Sequence, residues 1–167
     1  MELQEAKDRF VHTWGTLATQ WGINRTMSQV HALLLLSEKA LNADQIMEQL
    51  TISRGNVNMN LRELMSWGLI NKQLLQGERK EYFNAEKDIW KVARLITKHR
   101  KRREIEPVIE AMNEIKGAIK PDTQEKKEFL KVINEISKVS DFADSTMIAI
   151  IKSDESWLAN TLLKAFK

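Results

Sequence analysis

The stretch SRGNVNMNLRELMSWGLINKQLLQGERKEYFN, residues 53–84, changes its hydrophobic period midway. In its first half Val57, Leu61, Leu64 and Met65 recur at three- and four-residue spacing, which predicts an amphipathic helix. Ser53 can cap that helix, because a serine hydroxyl accepts a free amide hydrogen of the first turn. Gly68 stops it just past Trp67. In the second half Leu69, Ile70, Leu74 and Leu75 lead into Gln76-Gly77-Glu78-Arg79 and then Glu81-Tyr82-Phe83. Two short extended runs around a glycine-containing turn predict a hairpin.

Upstream, the pattern is helical. Phe10, Trp14, Leu17, Ala18 and Trp21 form one stripe over residues 3–21, and Gly22 can end it in a left-handed conformation. Thr26 or Ser28 can cap a second helix carrying Val30, Leu33 and Leu34. A short third helix starts after Asn42, with Ile46, Met47 and Leu50 inward, and joins the fourth through residues 50–53. Downstream, with Asn84 as cap, one long helix is expected over about residues 85–120, bent or divided at Pro107 because proline removes a helix hydrogen bond. Pro121-Asp122-Thr123 opens another helix, and residues 141–166 supply one or two more. The expected fold is mainly α: a winged helix-turn-helix with a two-stranded β wing and additional C-terminal helices. Residues 1–107 are expected to form the winged domain, including the first helix over about 1–21. Residues 108–167 are expected to form a C-terminal helical region.

With Val57 and Leu61 inward, a step of about 100° per residue puts Gly55, Asn58, Met59 and Arg62 on the opposite helix face. Asparagine pairs with adenine, arginine with guanine, and a methionine tip touches a thymine methyl. Gly55 permits close approach to a backbone. Ser53 and Asn56 lie nearer the N-terminal end, where amides and hydroxyls meet phosphate, and Arg54 and Asn56 are placed with Asn58, Met59 and Arg62 at the major groove. Asparagines at 56, 58 and 60 are poor helix formers, as if a cost were tolerated for contact. The hairpin adds Arg79 and Lys80 at its turn and Lys72 on the ascending strand, suited to phosphates or a narrow minor groove.

Charge is lopsided. Residues 1–49 carry 4 basic and 6 acidic side chains, residues 50–103 carry 13 and 5, and residues 104–167 carry 9 and 12. A basic middle between acidic flanks suits a polyanionic partner. The densest run, KHRKRR at 98–103, is open to DNA contact or to pairing with Glu104, Glu106 and Glu110 at helical spacing. Without cysteine there is no disulfide or thiolate metal site. His12, His31 and His99 lie far apart, with His31 expected as a satisfied core or interface residue. Neither a phosphate loop nor a nucleophile elbow occurs, so no enzyme, metal or cofactor is expected. Trp14, Trp21, Trp67, Trp90 and Trp157 are read as core or interface residues rather than an aromatic cage. Residues 1–7, MELQEAK, are no signal peptide, and the longest apolar run is residues 32–36, so a cytoplasmic protein off the membrane is expected.

Residues 21–26 (WGINRT), 53–70 (SRGNVNMNLRELMSWGLI) and 77–90 (GERKEYFNAEKDIW), with residues 98–107, resemble the glycine-betaine-synthesis repressor branch of the MarR-like winged-helix regulators. The resemblance covers about residues 10–107. Gly77-Glu78-Arg79 stands where an Asp-x-Arg pattern is usual, so Arg79 corresponds to the wing arginine. The resemblance implies a homodimeric transcriptional repressor on double-stranded DNA, with the first and C-terminal helices as dimer arm and a pseudo-palindromic operator. It also implies a possible effector such as choline or a related osmolyte. From the residues alone, a winged-helix protein-interaction module and a small-molecule-binding protein remain the alternatives.

Overall fold

The computed structural model describes residues 1–153 and divides into two compact units, Met1–Val92 and a second beginning at Ala93. The first holds α1 (Leu3–Gln20), α2 (Arg25–Leu36), β1 (Leu41–Asn42), α3 (Ala43–Leu50), α4 (Arg54–Ser66), β2 (Ile70–Leu74) and β3 (Glu81–Ala85). Its core is the common inner face of the helices: Val30 and Leu34 of α2, Ile46 of α3, and Val57, Leu61 and Leu64 of α4 are fully buried. Phe83, Ala85 and Ile70 close it from the sheet. These are the periodic apolar positions, and their removal from water is the main force holding the helices to the sheet.

Helix α3 leads into α4 through a left-handed turn at Thr51, φ 53°. The Ile52 amide donates to the Met47 carbonyl there, closing the end of α3. Gly68, at φ 74°, ends α4 and lets the chain turn directly into β2. This is the expected helix-turn-helix followed by a ribbon. The sheet has three strands, however, in the order β1-β3-β2, all antiparallel. Leu41 pairs with Phe83 and Asn42 with Tyr82. A two-residue strand has no period to read, so only the pairing reveals it.

Three local expectations change. Asn24, not Thr26 or Ser28, caps α2, its side chain accepting from the Met27 amide at 3.0 Å. Asn84 lies in β3 opposite Asn71, so the helix expected from residue 85 starts at Ile89 as α5 (Ile89–Arg100). Asp88 serves it instead, accepting from the Lys91 amide. The expected single helix then breaks ahead of Pro107, into a π turn (Lys101–Ile105) and α6 (Glu106–Ala118). Proline has no N–H for the Arg103 carbonyl, and its ring would press on that carbonyl. Widening the preceding turn avoids the clash, and Glu106 donates five residues back to Lys101.

In the second unit, Thr123 caps α7 (Gln124–Lys152), accepting from the Lys126 amide. This single helix runs through residue 141, where a separate element was expected to begin. It packs Ile133, Ser137 and Ser140 against α6 and the π turn. The expectations for residues 154–166, including Trp157, lie outside the described residues.

Candidate nucleic-acid interface

Helix α4 presents its polar face outward because its apolar positions leave no alternative. Arg54, Gly55, Asn58, Met59 and Arg62 are all exposed, Met59 by 59%. A Cβ added at Gly55 would meet nothing within 4 Å, so the protein itself does not require glycine there. Ser53 caps the helix as expected, accepting from the Asn56 amide at 3.3 Å.

The asparagine series separates. Asn60 is buried, and its amide group donates to the Asn56 carbonyl at 2.8 Å and the Asn56 side-chain oxygen at 2.7 Å. Its cost is therefore offset within the helix, and only Asn58 and the half-buried Asn56 remain to serve a partner. A 100° step places position 60 near the border of the face, where sequence alone does not decide.

The cations divide as well. Asp44, in the first turn of α3, accepts from both Arg54 of α4 and Lys80 of the hairpin turn, the latter at 2.9 Å. The Lys80 hydrogen bond, reinforced by Arg54, holds the Asp44 carboxyl below its ordinary range, while Asp44 raises the Lys80 ammonium. Lys72 pairs with Glu81 across the ribbon at 2.9 Å. Arg62 and Arg79 make no hydrogen bond or ion pair with any described residue. Helix α4, the wing and α3 thus meet at one carboxylate, leaving one bare arginine on α4 and one at the wing.

Asp44 escaped the sequence reading because an acid in a first helical turn already has a reason, the helix dipole. Nothing in the sequence links it to Lys80, 36 residues later. Lys87 escaped too. Its ammonium donates to the carbonyls of Leu34, Leu35 and Ser37 at 2.8, 2.6 and 2.8 Å, capping α2 at its negative end.

His31 is buried, as expected, but its Nε2 has no hydrogen-bond partner, so it is not satisfied. Burial, with the Lys87 charge, pushes its pKa down to about 4, so it is neutral in the fold. Trp67 is core and donates to Glu63, and Trp14 stacks on Phe10 with centroids 5.4 Å apart. Trp21 and Trp90 are exposed rather than core. In the basic run, Arg100 pairs with Glu104, and Lys101 with Glu106 and Asp144, so intramolecular pairing takes at least these two of its members.

Among the described residues no three His, Cys, Asp or Glu side chains gather to hold a metal, and no helix is long and apolar enough to cross a membrane. An open cleft of about 510 Å³ lies among α1, α2 and the end of α3. Lys7, Asp8, His12 and Gln49 line it, and it holds no aromatic ring of the kind that cages a quaternary ammonium ion.

Residues 28–72, from α2 into β2, match the family model described as "Bacterial regulatory protein, arsR family". A solved chain described as "Crystal Structure of a transcriptional regulator" superposes with a TM-score of 0.65, at 17% identity, over 87% of this chain and 95% of that one. No curated protein sequence matches. The chain therefore shares the winged helix-turn-helix of bacterial regulators, and nearly the whole length of a structure carrying that description.

Proposed function

We propose that this chain is a sequence-specific DNA-binding transcriptional regulator: a homodimeric, effector-responsive repressor that reads a pseudo-palindromic operator. The observation that carries the reading is the outer face of α4. There a base-reading set, Asn58, Met59 and Arg62, stands exposed on a helix whose other face is fixed in the core. Arg54 and Asn56 extend that set into the major groove, Ser53 and Asn56 lie where the helix N-terminus meets phosphate, Gly55 lets the backbone come close, and Lys72, Arg79 and Lys80 follow the backbone from the wing. The match to a bacterial regulatory family over α2 to β2 supports the same assignment. The sequence resemblance adds the glycine-betaine-synthesis repressor branch, a cytoplasmic setting and a choline-like effector.

The test is retention of fragmented genomic DNA on the purified protein across a salt series, followed by titration of an enriched fragment. Arg62→Ala should weaken specific binding by about 1–3 kcal/mol and reduce preference over scrambled DNA. Lys80→Ala should weaken all duplexes alike and lower the salt slope by about one. An Arg62→Ala protein with unaltered sequence preference would remove the base-reading role. Uniform weak retention by the parent protein would remove the regulator reading itself.

A further inference from the structure

The chain has seven methionines and no cysteine. A thioether is therefore the side chain it offers most readily to a two-electron oxidant such as hydrogen peroxide. Burial sorts the seven. Met27 is buried in the core, and Met47, Met65, Met112 and Met147 are half-buried. Met1, the first residue, and Met59 of α4 are the exposed pair, Met59 by 59%.

The surroundings of Met59 leave its sulfur open. A helical side chain leans towards the turn before its own, so the patch beside Met59 belongs to positions 55 and 56. Position 55 is glycine, and even a Cβ built there would meet nothing within 4 Å. Asn56 has its side-chain oxygen engaged by the buried Asn60 at 2.7 Å. On the following turn, Arg62 carries no hydrogen bond or ion pair with any described residue. Helix α4 thus presents an uncovered thioether one turn from a free guanidinium.

We propose that Met59 is a site of reversible oxidation, taking one oxygen atom from a peroxide and weakening the hold on DNA when it does. The inference rests on the reading of α4 as the base-contacting helix. The sulfur lone pair attacks one oxygen of hydrogen peroxide, the S–O bond forms and the O–O bond breaks. The departing oxygen keeps the bonding pair, collects the proton of the transferred oxygen and leaves as water. Sulfur is oxidised by two electrons and the peroxide is reduced by two. The sulfoxide changes the face in two ways. A polar S=O now has to leave water against a thymine methyl, which has no donor to offer it. The same oxygen can accept from the cation three residues on, so Arg62 gains an acceptor within the helix that competes with guanine. The fold is unaffected, because Met59 lies outside the core.

The test titrates the full chain with hydrogen peroxide and follows each methionine by peptide mass spectrometry. Met59 and Met1 should gain oxygen before the five covered methionines, at an unchanged helical circular dichroism signal. Affinity for an enriched genomic fragment should fall about tenfold as Met59 fills with sulfoxide. In Met59→Leu, whatever its starting affinity, treated and untreated protein should bind alike although Met1 still oxidises. The two methionine sulfoxide reductases, one for each sulfoxide epimer, should restore both mass and affinity in the parent chain. A Met59 that stays reduced while the covered methionines oxidise would overturn the modification site. Full oxidation of Met59 at unchanged affinity, or a loss that persists in Met59→Leu, would overturn its effect on DNA. A parent chain that retains no fragment before treatment removes the DNA reading instead, and the mass spectra still decide whether Met59 is the oxidised site.

Discussion

His31, buried in α2, gives this fold one of its responses to acid. His31 has an ordinary pKa of about 6.5 when unfolded and about 4 in the fold, where burial and the Lys87 charge oppose its protonation. Between those values the unfolded chain binds the extra proton, so stability is complete above about pH 6.5 and falls as the pH drops towards 4. The shift is worth about 3 kcal/mol in full, of which about 2 kcal/mol is lost between about pH 7 and about pH 5. Urea midpoints at those two pH values should show this loss, and His31→Leu should remove most of it. An equally steep pH dependence in His31→Leu would place the acid sensitivity elsewhere. The sequence showed an apolar setting for His31 but neither its orphan nitrogen nor its lysine neighbour, both of which depend on residues far along the chain.

Among the elements, α2 depends on a residue that follows β3. Its last carbonyls have no partners within the helix, and the Lys87 ammonium takes three carbonyls at this end at once. Lys87→Met removes those bonds and leaves the partly buried Leu34 carbonyl without its donor, which should cost about 2 kcal/mol in a urea titration. A change below about 0.5 kcal/mol, typical of an exposed surface lysine, would refute the capping role. The same substitution removes the charge that disfavours His31 protonation, so the histidine should titrate closer to its ordinary value. Helix α4 was legible because Val57, Leu61 and Leu64 fix its face by period alone. Strand β1 and the π turn were not, since the first is two residues long and the second is the response of a turn to a proline that follows it.

Over the whole molecule, the basic middle segment is less free than its composition implies. Residues 50–103 hold 13 basic side chains, but Arg54, Lys72, Lys80, Lys91, Arg100 and Lys101 are paired with carboxylates and Lys87 with carbonyls. Asp44 withholds two of these cations at the candidate interface, and it stays ionised at neutral pH. Two effects compete when it is neutralised. Exposed ion pairs contribute little to stability, so Asp44→Asn loosens the wing only slightly. A negative charge removed from beside a phosphate path acts on every duplex. The charge effect should win: Asp44→Asn should bind any duplex about two- to fivefold more tightly at low salt, with a steeper salt dependence. Weaker binding to all sequences would show instead that the Asp44 contacts position Arg54 and Lys80.

The sequence by itself determined the winged helix-turn-helix, the buried face of α4, the exposed set around Arg62, and the location of the wing. Each is written in local periodicity and turn chemistry, which act over a few residues. Only the tertiary structure decided which cations are engaged, that Asn60 turns inward, and that Asp44 joins α3, α4 and the wing. Most of these depend on what the other elements bring alongside, as Lys80 is brought to Asp44 36 residues earlier, and no local pattern encodes such pairings.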